Sequence, residues 1–253
     1  MRKTRMFSKI AAMMLVAVMA CCMVASAYGE YKSSTTSLYG NCEYLAHSTL
    51  YVDGGNQFRA GATVRTANGS YVGSGAISLM ATLINASNGS VLAQTGEIPL
   101  PSRNYFHMVT TDPYWTTTSV AGLGWARVDG SQLMRLRETN ASAYLRSANM
   151  AKQVSTLAES MLTEDGTYPV NTAGETYGSV LLADMVGEDP DLISATNQKG
   201  VDGYIRVTDV PTINPAVSTA AVQMIPLYDM NGNVIGSFEL DIPEVDSTNT
   251  PNF

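Results

Sequence analysis

The chain has 253 residues, 15 Lys and Arg against 22 Asp and Glu, and a net charge of −7. That balance argues against nucleic-acid binding, which needs a basic footprint to displace counterions from phosphates. Two histidines, His47 and His107, stand 60 residues apart with no close ligand spacing around them. A zinc centre is not expected, and no cofactor is implied.

The first 27 residues have the pattern of a secretory signal peptide. Arg2, Lys3, Arg5 and Lys9 precede an uncharged stretch from Ile10 to Val24, and Ala25 and Ala27 supply the small side chains of a cleavage site before Tyr28. The apolar stretch is about 15 residues, short of the roughly 20 a helix needs to cross a bilayer, so no permanent membrane span is expected. A lipidated start at Cys21 is the rival route, but bulky Met19 and the apolar Met23-Val24 fit it poorly. Cleavage at Ala27 removes Cys21 and Cys22, leaving Cys42 without an internal disulfide partner. It also leaves 11 bases against 22 acids, a charge of −11. The acids concentrate late: residues 159–253 hold 15 of them against Lys199 and Arg206. The expected localisation is secreted or cell-surface.

Residues 28–130 read as a β-rich domain. In Phe58-Arg59-Ala60-Gly61-Ala62-Thr63-Val64 the apolar residues alternate, which places Phe58, Ala60, Ala62 and Val64 on a core face. Asn68-Gly69 follows as an expected type I′ hairpin turn, and Asn88-Gly89 turns a second run, 76–84, into 91–94. Within 76–84 either Ile77, Leu79, Ala81 and Leu83 or their neighbours face the core. Three Asn-x-Ser sequences, at Asn68, Asn85 and Asn88, fall in these turns, and turn chemistry explains them without glycosylation. Segments 114–118 and 120–128 complete five or six strands, enough for a sandwich.

From 131 to 165 a helical connector is expected, because Leu133, Leu136, Tyr144, Leu145, Met150, Val154, Leu157, Ala158 and Met161 recur at threes and fours. Gly166 suits the left-handed residue that ends it. Residues 166–241 form an acidic module, and 242–253 a tail. The fold class expected is α+β, mainly antiparallel β.

The acidic module holds Gly174-Glu175-Thr176-Tyr177-Gly178, then Pro190-Asp191-Leu192-Ile193, then Gly203-Tyr204-Ile205-Arg206-Val207-Thr208-Asp209, and a hairpin from Ile225 to Phe238. In this order the segments resemble a module of exported Gram-positive bacterial proteins, including the extracytoplasmic tails of some BlaR1-like peptidases. The resemblance covers about residues 165–240. It lies outside the peptidase domain, and the His-Glu-x-x-His of that domain is absent here, so peptidase activity does not follow.

Catalytic signatures are weak elsewhere. No Gly-x-Ser-x-Gly elbow occurs, Asn41-Cys42-Glu43 matches no cysteine-protease pattern, and Glu188, Asp189 and Asp191 flank Pro190 as a turn. Asp229-Met230-Asn231-Gly232-Asn233 begins like a calcium loop, but Leu240 occupies the twelfth position, and an Asn231-Gly232 type I′ hairpin explains it better. Aromatic residues offer more: Tyr105, Tyr114 and Trp115, with Phe106, gather near the end of the β block and suit stacking on sugar rings or anchoring a partner. The expected role is binding of an extracellular protein or glycan. An extracellular hydrolase and a component of a surface assembly are the alternatives.

Overall fold

A computed structural model describes residues 28–54, 56–139, 158–213 and 222–242. The segment 1–27 with Ala25 and Ala27, most of the expected connector stripe (Tyr144 to Leu157) and the tail after 242 lie outside the described residues.

The strands run in chain order as β1 (Tyr28–Lys32), β2 (Thr36–Tyr39), β3 (Glu43–Gly54), β4 (Gln57–Thr66), β5 (Ile77–Asn85), β6 (Val91–Thr95), β7 (Ile98–Pro99) and β8 (Phe106–Thr110). They continue as β9 (Tyr114–Trp115), β10 (Val120–Val128), β11 (Met134–Arg135), β12 (Tyr177–Gly178), β13 (Leu192–Thr196), β14 (Asp202–Arg206), β15 (Val222–Tyr228) and β16 (Val234–Asp241). One short helix, α1 (Ala183–Val186), follows β12. Among the described residues these strands make two sheets. The first has the order β1-β3-β4-β8, with β2 on β3 and β9 on β4; the second runs β11-β10-β5-β6-β16-β15-β14-β13-β12. The protein is mainly antiparallel β with little helix, as the sequence pattern anticipates.

The expected alternation holds in β4, where Phe58, Ala60, Ala62 and Val64 are all buried. The inner face of the first sheet packs on β5 and β10, and Leu38, Tyr44, Ala62 and Val64 share a core with Ile77, Leu79, Ala81 and Ala126. The approach is close. A Cβ on Gly122 would sit 2.4 Å from the Thr49 carbonyl oxygen, so β10 needs a bare backbone there.

β5 is buried on both faces. Ile77, Leu79 and Ala81 face the first sheet, while Met80 and Ile84 join a second core with Trp125, Tyr168, Ile205, Phe238 and Leu240. The β-rich stretch and the acidic stretch therefore share one apolar interior, built on β5, β6 and β10. Hydrogen bonding extends the union, because β13 meets β6 at Val91 while β16 meets it at Gln94 and Thr95. The strands β13 to β16 curl until both outer members rest on that one strand.

The expected connector is found only in part. Residues 131–136 are not helical: Asp129 and Gly130 both take positive φ (48° and 74°), the chain reverses, and β11 pairs back onto β10. Helix appears at residues 158–161, where Ala158 and Met161 pack on the second core. Gly166 has φ +75° as expected, but within a Thr163–Thr167 turn.

The Asn-Gly pairs also differ. Only Gly69, Gly89 and Gly232 of those pairs have positive φ, so type I′ geometry is not used. Instead the three described Asn-x-Ser asparagines close on the amide two residues ahead, with Asn68, Asn85 and Asn88 accepting from Ser70, Ser87 and Ser90. The Asn88-Gly89 turn does join paired strands, β5 and β6. Asn68-Gly69 carries the chain from one sheet to the other, since β4 and β5 are not partners.

Candidate functional site

The outer face of the first sheet is built from the odd residues of β3 and β4. Tyr51 pairs with Arg59, Thr49 with Gly61, His47 with Thr63 and Leu45 with Arg65. β8 extends the rows with Thr110 beside Gly61, Met108 beside Thr63 and Phe106 beside Arg65, and β9 adds Trp115 beside Gln57. Alternation sends the intervening residues inward; on the outer face Thr49, Gly61 and Thr63 at the middle of the rows are covered by their neighbours, and the ends are open.

At its centre the Tyr51 ring leans over Gly61, where a Cβ would meet it at 2.9 Å, and its hydroxyl reaches the Met108 sulfur at 3.4 Å. Arg59 lies 5.2 Å from the ring centroid and donates to both oxygens of Asp53, at 2.6 and 2.9 Å. That two-pronged bond raises the Arg59 pKa and fixes the guanidinium plane. Burial lowers the His47 pKa, and the positive charges of Lys32 and Arg65 add to this against Glu30. Around this ordered centre stand side chains in water: Trp115 is 66% exposed and Met108 46%. Exposed rings beside a rigid polar group are the usual means of holding a sugar ring or a partner's side chain.

The three aromatics singled out in the sequence part company. Trp115 stands on the outer face, whereas Tyr114, its neighbour, packs inward beside Leu50 and Phe58. Tyr105 is at the other end of β4, its carbonyl accepting from the Thr66 amide, roughly 25 Å from Tyr114 at 3.3 Å per residue. There it packs edge-on against Tyr71 at 5.4 Å, with Arg103 5.7 Å from the Tyr71 ring. Tyr51, Arg59 and Asp53 carry no local sequence signature; the strand pairing brings them together and sets Tyr51 beside Met108.

The acidic stretch builds a different polar group. The resemblance segments converge: Glu175 accepts from Arg206 Nε at 2.9 Å, Arg206 stacks on Tyr228 at 4.1 Å, and the Tyr228 hydroxyl donates to Asp209 at 2.6 Å. Tyr177 meets Tyr204 edge-on at 5.7 Å, and Thr176 and Asp191 exchange hydrogen bonds through backbone and side chain. Asp189 lies near Arg135, which also pairs with Glu138 and Asp184 and so ties β11 to the acidic stretch. Asp229 spends its carboxylate on the amides of Asn231 and Asn233, which lowers its pKa and makes it a turn rather than a calcium ligand.

Among the described residues the pairings that a thiol or imidazole nucleophile requires are not made. His107 is buried on the inner face, bonded to the Ile98 carbonyl at 2.9 Å, and burial holds its pKa down. Cys42 packs against the core near Tyr44, whose hydroxyl donates to Asp129 at 2.7 Å. Among the described residues no three His, Cys, Asp or Glu side chains gather as a metal site, and no helix is long and apolar enough to cross a membrane.

A cleft of about 210 Å³ opens where the two stretches meet, lined by Leu92, Tyr114, Gln198, Phe238, Asp112, Glu239 and Asp241 among others. Asp241 is 7% exposed, and burial pushes its pKa up to about 7, against the pull of an Asp112 amide bond and with the nearby charges of Asp112 and Glu239 adding to the rise.

Fold and face together define a two-sheet β protein with an open aromatic surface. No family model, curated protein or solved structure matches the chain.

Proposed function

We propose that the chain is an exported bacterial protein that works by binding, and that the outer face of the first sheet holds an extracellular glycan or protein. One observation carries the reading: Trp115 and Met108 stand exposed on a sheet face whose centre, Tyr51 with Arg59 and Asp53, is already rigid. An exposed aromatic ring beside a rigid polar group can anchor a partner, and a locked Arg-Asp pair loses little entropy when a ligand arrives. Export rests on the charged start, the apolar stretch and the Ala25-Ser26-Ala27 site. The resemblance of residues 165–240 to exported Gram-positive modules agrees with it.

Two measurements test the proposal. Mass spectrometry of protein recovered from a Gram-positive culture medium should find an N-terminus at Tyr28; a lipidated Cys21 refutes the cleavage site. Pull-down of purified protein on bacterial wall and on polysaccharide resins should retain it, and Trp115→Ala should cut retention at least tenfold. Equal retention of the variant refutes the outer face as the contact surface.

A further inference from the structure

The segment between β8 and β9 carries Trp115 onto the outer face. Thr111 pins one end, its amide donating to the Ala60 carbonyl at 2.9 Å and its hydroxyl accepting from the Ala60 amide at 3.0 Å. Thr116 holds the other end through the Asn56 carbonyl at 3.0 Å. Between them the Asp112 amide donates to Oδ2 of Asp241 at 3.0 Å, across 129 residues of sequence. Asp241 is itself fixed at the end of β16, its carbonyl accepting from the Gly96 amide at 3.3 Å.

The surroundings of this carboxyl are unusual in sign. Asp112 faces it from the β8–β9 segment and Glu239 from its own strand, and the cleft lining contains no Lys, Arg or His. Among the described residues none of the three acids has an ion-pair partner; the ion pairs of Lys32, Arg59, Arg127, Arg135 and Arg206 go to Glu30, Asp53, Glu97, Glu138, Asp184, Asp189 and Glu175 instead. A proton on Asp241 removes the repulsion, and a charge on it restores the repulsion inside a desolvated cleft.

We propose that Asp241 is a protonation-controlled latch on the segment that carries Trp115, so that ligand capture on the outer face weakens as the surroundings turn from acidic to alkaline. The latch regulates the surface assigned above and so rests on that reading. With the segment closed, the carboxyl holds its proton to about pH 7; with it open, water returns the group to its ordinary value of 3.8. The closed form therefore binds more protons. Closure is favoured fully in acid and lost as pH rises from about 4 through 7, by up to tenfold per unit. Across that range the open-to-closed ratio rises on the order of a hundredfold or more.

Hydrogen exchange at the Asp112 amide, corrected for the intrinsic rate at each pH, reads the latch. Protection in the wild type should fall at least tenfold between pH 5 and 8. In Asp241→Asn, which keeps an acceptor oxygen and cannot ionise, protection should stay flat. Glu239→Gln removes one repelling charge, so Asp241 ionises more easily and the fall should move to lower pH, with a midpoint below that of the wild type. A flat wild-type profile, equal slopes in wild type and Asp241→Asn, or an unmoved midpoint in Glu239→Gln overturns the latch. On a bacterial wall fraction, wild-type affinity should be several-fold weaker at pH 8 than at pH 5.5, and that of Asp241→Asn equal at both; equal wild-type affinities overturn the regulatory link. Trp115→Ala separates the two claims: unchanged binding by that variant refutes the outer face whatever the exchange data give.

Discussion

The outer face of the first sheet and the Glu175–Arg206–Tyr228–Asp209 group of the acidic stretch are both aromatic and charged, yet they differ in what their atoms face. In the acidic stretch the groups answer one another: Arg206 has Glu175 and the Tyr228 ring, and Tyr228 has Asp209. On the outer face the centre is satisfied in the same way, the Tyr51 hydroxyl reaching the Met108 sulfur, but about half of Met108 and two thirds of Trp115 are left to water. A polar group closed on itself contributes to folding and specificity. On the proposed reading, a rigid centre with exposed apolar neighbours is where a ligand makes its contacts.

The largest expected effect falls on the core that the two stretches share. Trp125→Ala should cost about 3–5 kcal/mol, and calorimetry with far-ultraviolet dichroism should show both stretches melting in one transition at a lower temperature. Two separate transitions would break the shared core. Gly122→Ala should cost about 1–3 kcal/mol in denaturant titration, since the new Cβ meets the Thr49 backbone. Arg206→Ala should cost about 1 kcal/mol and leave ligand retention untouched, which sharpens the contrast between the two polar groups.

The smallest effect is that of His107. Burial lowers its folded pKa below the ordinary 6.5, so it contributes stability that is present above that value and lost as pH falls through 6.5 toward the folded value. Asp241 acts with the opposite sign, so Asp241→Asn is the background in which to see it. There, stability by urea titration should drop modestly from pH 7 to 5, and His107→Gln should remove the drop.

Alternation made β4 legible because its apolar side chains all lie on one face, while the other carries Gln57, Arg59, Gly61, Thr63 and Arg65. The same rule could not choose a face for residues 77–84, since β5 lies between two cores and both faces are apolar. Residues 131–136 looked helical because apolar residues three apart also fit a short strand past a turn, and the Asp129-Gly130 pair that signals the turn outweighed them. The stretch boundaries seen in charge do not divide the interior, because burial follows apolar side chains and, among the described acids of the acidic stretch, all but Asp241 sit outside it. The site was legible only at Trp115. Tyr114 and Tyr105 carry the same chemistry, and the pairing of β9 and β8 with β4, a contact far apart in sequence, decides which ring turns to water.

The most direct test of the outer face is co-sedimentation of the purified protein with Gram-positive wall and with insoluble polysaccharides, wild type beside Trp115→Ala, at a pH near 5.5. The account predicts that the wild type sediments with at least one of them and that the variant, folded to the same melting temperature, stays at least tenfold more in solution. Equal partition of the two, or no sedimentation of the wild type with any of them, would contradict it.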